Sequence, residues 1–172
     1  MSYLLDKVTA RSIVRTLFKR SQKQTLTPEE IFTYDLFRRI LPERLFIVPA
    51  SANVLQLMAQ SPLYSPVIHL FLSHVEVVIP GPYFKRWARR LRGYAFTRED
   101  AAVLALGTFG TDETNSILGM NIVATLDQPM INNWTAREAE LEKRLDTMRR
   151  NLAAPYNQAS LPQVLRPEEI VP

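Results

Sequence analysis

Cysteine is absent from the 172 residues. Its absence excludes a disulfide framework, a thiolate zinc knuckle and thiol chemistry, and accords with a reducing cytoplasmic setting. Histidine is almost absent: His69 and His74 alone occur, both within an apolar run. That disfavours a His-rich metal site or a Ser-His-Asp triad, and the two are expected as partly buried structural side chains. Long apolar runs are missing too. The stretch from Val67 to Leu72 is broken by His69 and falls far short of the roughly 20 residues of a membrane helix. The opening MSYLLDKVTARSIV has no basic region followed by a long apolar one, so neither a signal peptide nor a membrane partner is expected.

What is present suits an ordinary core. Apolar residues make up 47% and charged residues 22%, and a chain of this length buries about two thirds of its unfolded surface. The 21 basic and 17 acidic residues leave a charge of +4, which matters only where it clusters. Ser2 to Leu5 reads as a strand ending at Asp6, and KVTARSIVRTLFKR as the helix that follows. Thr27-Pro28-Glu29-Glu30 has an N-cap Thr, an early Pro and a Glu three residues on, a helix start that Pro42 closes. Residues 44–48 (RLFIV) suit a buried strand, Ser51 opens a helix, a short helix covers 65–73, and 75–79 (VEVVI) forms a third strand. A basic helix over 83–92 and an apolar helix after Thr97 follow. Then come a polar loop and the strand NIVATL, ending at Asp127.

A second capping box at Thr135-Ala136-Arg137-Glu138 marks a further helix. It carries Leu141, Leu145, Met148 and Leu152 as one stripe, able to pack at home or against a second copy as a homodimer. Prolines 155, 162, 167 and 172 predict an extended arm. The expected organisation is thus an α/β unit over 1–134, an amphipathic helix over 135–152 and a proline-rich extended tail over 153–172. Alternating strands and helices predict a three-layer α/β/α fold with a mainly parallel central sheet.

In such a sheet Asp6 and Asp127 end two strands at one edge, and Asp100 opens a helix beside it. Each acid can be a helix cap. Brought together, they have a different consequence: two carboxylates about 5 Å apart repel by roughly 3 kcal/mol at an effective dielectric near 20. A divalent cation or a shared proton relieves this. Hard oxygen donors point to Mg²⁺ or Mn²⁺, which can activate water against a phosphodiester. The segment YFKRWARRLRG places Lys85, Arg86, Arg89 and Arg90 beside aromatic residues. It reads either as a phosphate-binding stripe for RNA or as a solvated helix face.

Three segments resemble PIN domains. YLLDKVTARSIVRTL is similar to their first strand, Asp and helix; FTREDAAVLALGTFG to their later Asp-Ala helix; NIVATLDQPM to their last site element, a strand, a Thr and an Asp. The resemblance covers about Ser2 to Trp134. It implies that Asp6, Asp100 and Asp127 match acids that bind Mg²⁺ or Mn²⁺ in members that cleave RNA, some of them toxins held by an inhibitory protein. The family's Glu after the second strand has no counterpart, because Asn53 and Val54 stand there. Lys7-Val8 replaces a small polar pair, and Lys7 can supply positive charge where a metal otherwise would. Glu76, Asp112 and Glu113 stand as alternative carboxylates. Two functions follow: a metal-dependent ribonuclease, or a catalytically silent module that binds RNA or a protein.

Overall fold

The computed structural model describes residues 1–171. Strand β1 (Ser2–Leu5) is buried along its whole length and gives way at Asp6 to α1 (Lys7–Ser21), whose N-cap is the Asp6 side chain. Helix α2 (Pro28–Ile40) starts with the reciprocal Thr27/Glu30 box. The chain then runs through β2 (Arg44–Ile47), α3 (Pro49–Met58), α4 (Ser65–Leu72) and β3 (Glu76–Val77). After β4 (Ile79–Pro80) come α5 (Phe84–Arg92), α6 (Arg98–Phe109), β5 (Gly110–Thr111), β6 (Ile122–Ala124) and α7 (Gln128–Arg149). A 3₁₀ turn (Tyr156–Gln158), β7 (Gln163–Leu165) and α8 (Pro167–Ile170) complete it.

Five strands form one sheet in the order β3-β2-β1-β6-β7, and every pairing is parallel. Because successive strand side chains point to opposite faces, the sheet divides two cores. Leu4, Phe46, Val123 and Val164 meet the helices bearing Trp87, Leu104 and Trp134. Tyr3, Leu5, Leu45, Ile47 and Ile122 meet those bearing Ile13, Leu36 and Leu55. The predicted three-layer α/β/α architecture is present. Among the described residues no helix is long and apolar enough to cross a membrane.

Three expectations change. The helix expected from Thr135 begins seven residues earlier, at Gln128, with Asp127 as its N-cap. Thr135 is interior to it, so the expected boundary at 134/135 falls inside one helix. Burial of Met130, Ile131 and Trp134 provides the packing that carries the helix through this stretch. The tail expected over 153–172 is no free arm over 153–171 either, Pro172 lying outside the described residues. Its residues Gln163–Leu165 pair with Ile122–Ala124 as the fifth parallel strand, and α8 packs on α2. The third strand is split: Glu76 and Val77 join the sheet, whereas Ile79 and Pro80 turn away to pair antiparallel with β5. The stripe Leu141, Leu145, Met148 and Leu152 is buried in the chain's own core.

Gly107 lets α6 lie close over β6. A Cβ there would stand 2.9 Å from both Val123 Cγ2 and Pro162 Cγ, so the approach that brings the start of α6 to the sheet edge requires glycine.

Candidate functional site

The strand order reverses between β1 and β6. From β1 the chain steps outward through β2 to β3, and β6 and β7 lie on β1's other side. Helix α1 covers one face and α7 the other, so a crevice opens at the carboxyl ends of β1 and β6, the usual ligand position in open parallel sheets. Asp6 and Asp127 follow those two strand ends, and the Asp6 amide bonds Ala124 O across them at 3.2 Å.

Asp6 is 6% exposed. Its Oδ1 accepts the Thr9 amide at 2.7 Å, and its Oδ2 accepts the hydroxyl of fully buried Thr125 at 2.6 Å. That hydroxyl in turn accepts the Asp127 amide at 3.0 Å, so one Thr ties both acids together. Asp127 Oδ1 accepts the Met130 amide at 2.9 Å. Burial pushes the Asp6 carboxyl above its usual range; the bonds from Thr125 and Thr9 oppose this, and the nearby Asp127 charge adds to it. Asp100 comes from the first turn of α6, where it forms a capping box with Thr97. Asp100 Oδ1 and Asp127 Oδ2 accept no hydrogen bond among the described residues.

The three acids line one cleft of about 370 Å³. Two charged neighbours line it as well, Lys7 from α1 and Glu99 from α6, joined by an ion pair at 3.3 Å. Sequence reasoning overlooked Glu99. It lies beside Asp100 in the same first helical turn, and its adjacency to a proposed ligand was the available signal. The walls are apolar and include Val48, Phe84, Val103 and Met130. From α3 the cleft receives Pro49 and Ala50; Asn53 is exposed and lies outside it. No carboxylate of α3 therefore lines the cleft.

Glu76 and Asp112 do not reach the cleft. Both bind Arg44, the first residue of β2, Glu76 at 2.6 Å and Asp112 at 2.9 Å. Glu113 is exposed and is not among the cleft's lining residues. His69 and His74 are surface residues rather than partly buried ones; His69 Nδ1 lies 3.0 Å from Ser65 Oγ.

Oxygen donors with no histidine or thiolate suit Mg²⁺ or Mn²⁺ in kind. As the side chains stand, no three carboxylate, histidine or cysteine groups among the described residues gather closely enough to grip an ion. The donor set thus fits a hard cation in chemistry and not yet in spacing.

Helix α5 adjoins the cleft through Phe84. Trp87 and Leu91 anchor it in the core, leaving Lys85, Arg86, Arg89 and Arg92 exposed with no acidic partner among the described residues. Arg90 is half-buried, and its buried Nε has no partner.

Fold and cleft define a three-layer α/β/α protein with an acidic hollow at the switch point of a parallel sheet. The sequence matches no family model and no curated protein.

Proposed function

We propose that the chain is a PIN-like ribonuclease that hydrolyses RNA phosphodiesters with Mg²⁺ or Mn²⁺. One observation carries the reading: Asp6, Asp100 and Asp127, from three separate segments, line a single cleft at the switch point. Asp100 and Asp127, each with an unpartnered oxygen, would hold the cation together with Asp6 once the three side chains draw closer. A bound cation supplies charge neutralisation and water activation. The chain supplies the rest. Thr125 fixes Asp6 and Asp127 relative to each other. The apolar walls limit bulk water, and the exposed cations of α5 attract phosphates. The test is cleavage of single-stranded RNA in Mn²⁺ by wild type and Asp100→Asn. Strong cleavage lost in the variant is expected; equal cleavage by both, or none with any divalent metal, overturns the reading.

A second reading is a catalytically silent PIN-like module that binds RNA or a protein partner. The Lys7–Glu99 pair favours it, since it keeps a side-chain cation among the lining of the acid cleft, where a metal would otherwise bring the positive charge. On this reading millimolar Mg²⁺ or Mn²⁺ leaves the melting temperature unchanged, and a clear metal-induced rise rejects it.

A further inference from the structure

Beyond the acid cleft lies a second and larger hollow, of about 490 Å³. Its two long walls continue those of the cleft. Helix α1 gives Lys7 and Val8 to the cleft, then Arg11, Arg15 and Phe18 to the hollow. Helix α3 gives Pro49 and Ala50 to the cleft, then Val54 and Met58 to the hollow. Both cavities thus lie along the α1–α3 seam.

A row of cations marks its α1 side. Lys7, Arg11, Arg15 and Lys19 recur every fourth residue and so stand on one helical ridge, rising about 6 Å per step. The outer two are engaged, Lys7 with Glu99 and Lys19 with Glu30 at 2.7 Å. Arg11 and Arg15 between them are exposed and have no acidic partner among the described residues. Within the hollow the rings of Phe18 and Tyr64 pack with centroids 4.9 Å apart, and Met58 remains 37% exposed beside them.

A guanidinium lip over an apolar floor, whose two rings stand at 53° to each other, is the complement of a nucleotide, with phosphate outside and a base packed against one ring. A lone fatty anion needs one cation; a ridge of them suits a polymer with regularly spaced charges. We infer that the α1–α3 seam carries a second nucleotide seat. A single strand of RNA engaged at the acid cleft lays a phosphate on Arg11 and Arg15 and a base against Phe18 and Tyr64. Only an unpaired base can turn into the floor, so the seat selects single strands over duplexes. Lys7 and Arg15 are about 12 Å apart along the helix, so one short strand spans both cavities. The inference rests on the RNA reading of the cleft.

The test is fluorescence anisotropy of a labelled ten-nucleotide single-stranded RNA in EDTA, where bound strand is not cut. Arg11→Glu with Arg15→Glu is expected to weaken binding at least tenfold at low salt and to reduce the salt slope by about 2. An abasic nucleotide moved along the strand is expected to cost wild type roughly tenfold at one position and the double variant nothing there. The wild-type arm of the abasic scan needs no altered protein, so it stands even if the variant folds poorly. Unchanged affinity in the double variant, with loss in Lys85→Glu with Arg86→Glu, overturns the seat and leaves the RNA reading standing. A duplex bound as tightly as the single strand also overturns it. Absence of salt-dependent RNA binding by wild type overturns both.

Discussion

Two buried aspartates at opposite edges of one sheet are treated in opposite ways. At the amino edge Asp112, 3% exposed, receives the Ser116 hydroxyl and amide, the Thr114 hydroxyl and the Arg44 guanidinium. These hold its carboxyl well below the usual range, Ser116 first and Arg44 next among the causes that lower it. At the carboxyl edge Asp6, also buried, receives one hydroxyl and one amide, faces a second carboxylate, and is pushed upward. Polar satisfaction is complete where the fold is being locked and incomplete where a ligand would complete it. A buried carboxyl shifted beside a second charged group in a cleft is the kind of perturbed group that marks a functional-site candidate.

The sharpest test of this contrast compares removals at each edge. Asp100→Asn is expected to lower RNA cleavage in Mn²⁺ by at least about a hundredfold with little change in melting temperature. Cleavage rates and melting curves on the same preparations check it. Arg44→Met should do the reverse: cleavage persists while the melting temperature drops, because the buried Asp112 loses its counter-charge. The acid behaviour follows from the sign of the shift. A depressed carboxyl contributes stability above its unfolded pKa of about 3.9, and this is lost as pH falls toward the folded value. Removing Arg44 shrinks that contribution, so wild type and variant melting temperatures should converge in strong acid.

Thr125→Val is the next largest, because it strips a hydroxyl from two acids at once. A cost of about 1–3 kcal/mol is expected from denaturant titration, and it should be smaller when measured in an Asp6→Asn background. The smallest effect is a gain. Asp6 has a raised folded pKa, so its contribution is fully present below the unfolded value and is lost as pH rises through the folded one. Asp6→Asn removes that loss. Its melting temperature should exceed wild type at neutral pH, as melting curves of the two proteins would show. The gain should fade toward pH 4. A variant less stable than wild type at neutral pH would break the comparison.

Much of the fold was legible because local and global signals agree. Ser2 to Leu5 needs no polar alternation to read as a strand, since a central parallel strand is covered on both faces and all four residues are buried. Asp6 and Thr27 announce their helices by chemistry that acts within one turn. The start of α7 was misread because Thr135 offers an equally good local cap, and only the burial of Met130 and Ile131 decides between them. Strand β7 was hidden for a similar reason. Gln163–Leu165 is three residues among prolines, without enough pattern to predict, and it becomes a strand through its partner Ile122–Ala124. At the site, the three acids could be named but not their neighbours. Glu99 and Lys7 are 92 residues apart, and nothing in either segment announces the other.

The sequence by itself determined which carboxylates end strands or open helices, and that the strands would be parallel, since both follow from periodicity and from hydrogen bonds made within a single turn. Only the tertiary structure decided which acids share a cleft, which are locked by Arg44, and that α1 and α3 line both the cleft and a second hollow. Those are matters of which segments the sheet order brings side by side, and a long-range pairing leaves no mark on the residues between its ends.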